Sequence, residues 1–326
     1  MNKWASEIKN YNIINLSLTI VQIIESFIQL HYGLAKANSD GVSRMSHKRA
    51  ALWMIGAIIS FTSMAIAGRT ISRDLDTFEI MLYRSIIGFL IVVSVAGVTG
   101  TYREINFEFF RIHLARNIFH FIGQNLWFFA LPLIPLAQLF ALEFTSPIWV
   151  VLLAPVFLGE KLTIRRLSIA ALGFFGVLIV ARPELHALNI GIVAGAVAAI
   201  GFAGAAILTR KLTVSNSLTK ILFFLTGLQV IFGFICAGFD KQIHVPAPST
   251  FPWLILIGIA GLTAHFCMTK SLALAPAGVV MPVDFARLPL IAVIGMLFYG
   301  EALDVYVLLG AVLVFTANYI NLKQRE

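Results

Sequence analysis

Residues 131–162 read LPLIPLAQLFALEFTSPIWVVLLAPVFLGEKL, an apolar stretch that holds one carboxylate, Glu143, and closes on Gly159-Glu160. Residues 272–303 read LALAPAGVVMPVDFARLPLIAVIGMLFYGEAL. A shift of 141 residues superposes the two without a gap. It lays Pro135 on Pro276, Glu143 on Asp284, Phe144 on Phe285, Phe157 on Phe298 and Gly159-Glu160 on Gly300-Glu301. The same shift brings Ile66 onto Ile207 and Arg69 onto Arg210, a weaker match that extends the duplication into the first part of each copy. Each copy therefore carries an acid at one matched position inside an apolar run.

The surrounding composition says what kind of run this is. Of 326 residues, 59% are hydrophobic and 12% charged, where a soluble domain carries about a quarter charged. A spanning helix needs about 20 mostly apolar residues, and ten such runs are present, near 50–68, 78–99, 112–132, 136–158, 166–182, 188–209, 219–239, 251–270, 277–299 and 302–322. They do not alternate as barrel strands do, so the expected fold is an all-α membrane protein with the lipid bilayer as its surroundings. The net charge of +8 does not point to nucleic acid, because the basic residues sit in short loops between runs. With the N-terminus inside, fourteen Lys and Arg fall on the cytoplasmic side, against Arg69, Arg73, Arg182 and Lys241 outside. This asymmetry predicts both termini in the cytoplasm. Cys236 and Cys267 are expected near opposite faces, as small buried residues rather than a disulfide.

Ten spans divide into five and five, and an odd number per copy inserts the second copy upside down. An inverted repeat is the architecture of secondary transporters, with the site near the midplane between the halves. The expected organisation is an N-terminal extension over 1–47, a first five-helix repeat over 48–182 and a second over 183–326. Within the extension, polar residues at Asn15, Thr19, Gln22, Ser26 and Gln29 read as an amphipathic surface helix or a loosely ordered segment. Met45 stands where a natural start would precede the first span.

With its ten spans, five-plus-five duplication and paired Gly-Glu closings (Gly159-Glu160, Gly300-Glu301), the chain resembles the drug/metabolite transporter superfamily, EamA type, over about residues 48–322. The resemblance implies a bacterial inner-membrane carrier of small organic solutes working by alternating access through a central cavity. Members handle amino acids, S-adenosylmethionine, riboflavin, purines and drugs, so membership alone does not select the substrate.

Charges at mid-bilayer are costly and should face the bundle interior. The third run shows the richest polar stripe, His113, Asn117, His120 and Gln124 on one helical face, with Arg116 alongside and Trp127 beyond. Arg116 is expected to meet an anionic or carbonyl group of the substrate, and Trp127 or Phe128 to stack on a ring. A polar seam between helices is the alternative. Arg84, Gln138, Glu143, Asp284 and Arg287 complete the candidate substrate-binding set with Arg116, His120, Gln124 and Trp127. Asp284 and Arg287 are spaced to pair at i, i+3. Glu143 has no basic residue within a turn, so its partner is expected from another helix, Arg84 or Arg116; left without one, it becomes a candidate proton carrier. Pro147 loosens the helix after Glu143. Glu79 lies near the entrance, whereas Glu160 and Glu301 read as structural groups at helix starts. Glycines such as Gly191, Gly195, Gly201, Gly204, Gly173, Gly176, Gly258 and Gly261 mark close helix packing.

An intramembrane enzyme would need a metal constellation or a nucleophile with its base. His113 and His120 lack a matching acid, and no phosphate-binding GxxxxGK[ST] loop is present for an ATP-driven pump. No catalytic residue, metal or cofactor is expected. The partners are a small-molecule substrate and the bilayer, in a monomer or homodimer. An aromatic cavity, suggested by 27 Phe, suits a flat, partly polar metabolite, with riboflavin first and S-adenosylmethionine or an amino acid next; a metabolite or drug exporter is the further alternative.

Overall fold

The computed structural model describes residues 42–158, 163–181, 189–213, 215–239, 242–274, 283–302 and 304–323. Two units are distinguished, Met1–Lys48 and Arg49–Glu326. Of the first, only 42–48 is described, and it is helical. The amphipathic helix expected over 12–30, and the Gly159-Glu160 closing, lie outside the described residues.

All regular structure among the described residues is helical: α1 Val42–Ile71, α2 Thr77–Thr99, α3 Phe110–Ala130, α4 Leu136–Glu143, α5 Ser146–Leu158, α6 Ile164–Ala181, α7 Ile190–Thr213, α8 Leu218–Ala237, α9 Phe251–Leu274, α10 Arg287–Tyr299 and α11 Val305–Lys323, with a 3-10 turn at Thr101–Glu104. Among the described residues, six segments are long and apolar enough to cross a membrane: Lys48–Ile71, Thr77–Thr99, Leu136–Leu153, Ile190–Thr213, Leu218–Ala237 and Phe251–Ser271. Leu167–Val180, Arg287–Tyr299 and Val305–Ile320 are shorter apolar helices. α3 has the length, but its polar stripe lowers its hydropathy.

The duplication is visible in where helices begin. α2 and α8 start at Thr77 and Leu218, α3 and α9 at Phe110 and Phe251, α5 and α10 at Ser146 and Arg287, α6 and α11 at Ile164 and Val305. Every pair is 141 residues apart. The helix break is duplicated too. Phe144-Thr145 interrupts α4 and α5, and the matched Phe285-Ala286 separates a helical turn at Val283-Asp284 from α10. A proline follows each break, Pro147 and Pro289, and removes the N–H that a continuous helix would use four residues back. At the first break, Asn318 Nδ2 donates to the Phe144 carbonyl at 2.8 Å, so a freed acceptor is satisfied inside the bundle.

The most extensive helix contacts join one copy to the other: α3 with α7, α6 with α11 and α2 with α8. Glycine permits two of these approaches. A Cβ on Gly201 would lie 2.8 Å from Gly123 Cα, and one on Gly176 would lie 2.8 Å from the Gly310 carbonyl oxygen. Two of the pairs with matched starts pack antiparallel. Leu82 of α2 meets Gly233 of α8 while Gly88 meets Thr226, and Gly173 of α6 meets Ala317 of α11 while Val180 meets Gly310. Leu52, Ile59, Leu90, Val98, Phe175 and Phe234 stay exposed, as expected for side chains that face lipid.

Candidate functional site

The two helix breaks meet. Phe144 and Phe285 are each other's counterpart under the 141-residue shift, and their rings pack at 4.7 Å between centroids. On either side of this contact stand the matched acids. Arg287, the first residue of α10, reaches both: Nη2 lies 3.1 Å from Glu143 Oε1 and 3.2 Å from Asp284 Oδ2. The i, i+3 pairing of Asp284 with Arg287 is present as the spacing suggested. The expected partner of Glu143 is corrected. It is neither Arg84 nor Arg116 but Arg287, brought over from the other copy by the meeting of the breaks.

This cluster is built into an aromatic box. The Arg287 guanidinium lies over Phe61, Phe144 and Phe140, at 4.6, 4.9 and 5.1 Å from their centroids, a favourable cation–π arrangement. Trp127 Nε1–H donates to Glu143 Oε2 at 2.9 Å, so this ring, only 2% exposed, anchors the acid rather than lying open for stacking. Two carboxylates and one guanidinium leave a formal charge of −1. Asp284 Oδ1 has no hydrogen-bond partner. A buried net charge is unfavourable, so the cluster suits a proton or a cationic group on one of its acids.

A second polar region lies between α2, α3, α8 and α9. A narrow cavity there is lined by Arg84, Ser85, His120, Thr226, Gln229 and His265, among others. Arg84 donates to Gln124 Oε1. Gln229 Nε2 lies 3.3 Å from His120 Nδ1, and the His120 and His265 rings are 5.6 Å apart. Arg116 is buried beside this region, with Nε on Thr209 Oγ1 at 3.0 Å and Nη1 on Asn117 Oδ1 at 3.0 Å. The stripe on α3 is thus turned into the bundle, where it meets α7 and α8.

The predicted set divides between these regions. Arg84, His120 and Gln124 gather at the cavity, with Arg116 adjoining, whereas Trp127, Glu143, Asp284 and Arg287 form the cluster. Gln138 belongs to neither hydrogen-bond set. Its Nε2 donates to the Val180 carbonyl at 2.8 Å and ties α4 to the end of α6. Gln229 and His265 were missed by sequence reasoning; the signal was an amide or imidazole inside each of two long apolar runs.

Glu79 and Glu301 are tied down. Glu79 completes a capping box with Asp76, and its Oε1 accepts from His244 N at 2.7 Å. Glu301 Oε2 accepts from Leu136 N at 2.9 Å, capping α4 from the other copy. Its Oε1 touches Arg69 Nη1 at 2.5 Å, in charge contact but off the axis of a hydrogen bond.

Comparison with known proteins gives a consistent result. The profile of the EamA-like transporter family matches residues 48–182 and again 189–322. A riboflavin transporter of Rhizobium johnstonii is 30% identical over 214 residues, 65% of this chain and 70% of that protein. A riboflavin transporter of Vibrio cholerae is 28% identical over 271 residues, 82% of this chain and 90% of that protein. An S-adenosylmethionine uptake transporter of Rickettsia felis is 22% identical over 266 residues, again 82% and 90%. A solved crystal structure shares the fold with a TM-score of 0.57 at 17% identity, covering 83% of this chain and 96% of the other.

Proposed function

The chain belongs to the EamA-like transporter family, and we propose that it carries riboflavin across the bacterial inner membrane as a secondary transporter working by alternating access. In this reading α4 and α5 are one broken span, which makes ten spans with the other helices. These form two inverted repeats, 48–182 and 183–326, with both termini in the cytoplasm. The antiparallel packing of two helix pairs with matched starts, α2 with α8 and α6 with α11, supports the inversion, and the excess of Lys and Arg on one side supports the orientation.

The observation that carries the reading is the meeting of two matched helix breaks at Phe144 and Phe285, with Glu143, Asp284 and Arg287 around them. Discontinuous helices crossing at the repeat interface place a binding site where two halves can rock about it. The substrate passes between this cluster and the Arg84 cavity, with Arg84, Arg116, His120, Gln124, Glu143, Asp284 and Arg287 as the candidate contacts, while Trp127 and Gln138 act through the groups they hold, Glu143 and the Val180 carbonyl. Riboflavin ranks first through the relatives named as riboflavin transporters and through the Phe rings around the cluster. Glu143 is the proton-coupling candidate, because the cluster's formal −1 is cancelled by one proton. S-adenosylmethionine is the second reading, favoured by that same −1, which suits a cationic sulfonium.

The test is growth rescue. A riboflavin auxotroph expressing the chain should grow at riboflavin concentrations too low for the parent strain, and should take up labelled riboflavin. Rescue by S-adenosylmethionine alone would move the assignment to the second reading. Failure with both, in cells shown to contain the protein, would refute uptake of either.

A further inference from the structure

The cavity between α2, α3, α8 and α9 has a charge character opposite to that of the Glu143–Arg287–Asp284 cluster. Its lining includes no acid. Among the described residues the ion pairs lie at Glu79, Glu143, Asp284 and Glu301, and none includes Arg84 or Arg116. Arg84 finds only the neutral Gln124 Oε1 and, at 3.8 Å, the Met81 sulfur. Arg116, 5% exposed, finds only Thr209 and Asn117. Among the described residues, then, two guanidiniums stand inside a membrane bundle without a counter-ion, an arrangement that is unfavourable unless an anion joins them.

The local architecture holds Arg84 where an anion could meet it. Its head group packs on Gly261, where an added Cβ would lie 2.7 Å from Nη2. Gln229, 2% exposed, lines the same space. Its Nε2 reaches the Asn117 carbonyl at 3.4 Å and His120 Nδ1 at 3.3 Å, while its Oε1 has no partner; a half-turn of the amide exchanges these ends and presents its N–H groups to a ligand. Guanidinium, amide and imidazole N–H groups converging without an acid form a donor set for a carboxylate, a phosphate or a halide.

We propose that this cavity is an anion-binding subsite. Arg84 is the primary cation, His120 and Gln229 are hydrogen-bond donors, and Arg116 adds positive potential from the adjoining helix face. The anion reaches it from one of two sources, as the charged end of the transported molecule or as a separate small ion that travels with a neutral one. The proposal rests on the carrier reading of the bundle, but on different residues from the acid cluster.

Purified full-length protein in detergent, with gluconate as the background anion, is titrated with chloride and with inorganic phosphate while thermal unfolding is followed. Riboflavin and riboflavin 5′-phosphate are titrated in parallel, and riboflavin flux is measured in proteoliposomes. Arg84→Gln removes the charge. Gly261→Ala keeps it but displaces the head group, and so gives the same test if the first variant folds poorly. A saturable rise in melting temperature with chloride or phosphate, at least tenfold weaker in affinity in either variant, supports the subsite and assigns it to a separate ion. Inert inorganic anions, with riboflavin 5′-phosphate binding at least tenfold tighter than riboflavin and losing that advantage in the variants, support it and assign it to the substrate's own group. An absence of both effects, or effects that persist unchanged in both variants, overturns the proposal. Anion binding by a protein without riboflavin flux would leave the subsite standing and remove the riboflavin assignment; flux that ignores both anions and variants would do the reverse.

Discussion

Replacing Arg287 by Gln tests whether the acid cluster is a true ion network. The guanidinium, 3% exposed, is shared between Glu143 Oε1 and Asp284 Oδ2 and lies over three rings. Its removal leaves two buried acids and changes the formal charge from −1 to −2. Removing one partner of a buried pair costs about 3–5 kcal/mol, because the other charge stays behind without compensation. For a chain of this size that corresponds to a melting shift on the order of 10 °C. The structure also ranks the rescue. The Asp284 side chain is 3% exposed and keeps one unpartnered oxygen, whereas that of Glu143 is 18% exposed and holds the Trp127 N–H. Asp284 therefore suffers more from losing the arginine. Arg287→Gln with Asp284→Asn should recover more stability than Arg287→Gln with Glu143→Gln, each by at least about 1 kcal/mol of coupling. Unfolding followed by tryptophan fluorescence in detergent measures all of these variants. An unchanged melting temperature in Arg287→Gln would sink the argument, as would the reverse order of rescue.

Three further outcomes are expected. Glu143→Gln should abolish accumulation driven by a pH gradient while leaving riboflavin exchange across proteoliposomes; accumulation at the wild-type level would remove Glu143 as the proton carrier. Gly201→Ala should destabilise by about 1–3 kcal/mol, since its Cβ would meet Gly123 Cα and the Phe119 carbonyl, which are backbone atoms that cannot step aside. Gly97→Ala, with nothing within 4 Å, should instead be neutral or stabilise by up to about 1 kcal/mol, and similar melting temperatures for these two would contradict the packing. A double-mutant cycle on Arg69 and Glu301, whose side chains are 17% and 12% exposed, should give a coupling of about 1 kcal/mol, measured by melting in detergent at low salt; no coupling would show that the capping of Leu136 alone accounts for Glu301.

What the sequence revealed, and what it hid, follows from the range of each interaction. The duplication and the helix starts were legible because they are written in local apolar runs and in Pro and Gly positions. The Asp284–Arg287 pair was legible as an i, i+3 neighbour. The Glu143–Arg287 pair was not, because the two residues are 144 apart and nothing local says which elements of the two copies cross. The α3 stripe announced an inward face but not what it meets: Thr209 on α7 and Gln229 on α8 are contacts of tertiary packing. His265 and Gln229 were lost for a different reason. A single polar side chain barely alters the hydropathy of a long apolar run, yet two such runs side by side complete a polar cavity.

The repeat is symmetric in backbone and asymmetric in charge, and the asymmetry bears on how motion could couple to protonation. The 141-residue shift matches the acids and the two phenylalanines in contact, but it lays Arg287 on Ser146, whose hydroxyl donates to the Ala199 carbonyl at 3.0 Å. One arginine therefore serves two acids. It pairs with Asp284 three residues away in the same copy, across the two-residue break at Phe285-Ala286, so those two stay together. Its contact with Glu143 crosses from one copy to the other. If the copies rock against each other, the bond that breaks is Arg287–Glu143, and the acid left behind is the one that must take up a proton to remain buried. On return, Arg287 competes with that proton. Under the proposed alternating access, binding of the arginine and of the proton to Glu143 would exclude one another, and the charge asymmetry of an otherwise doubled structure would tie each rocking step to the protonation of a single residue.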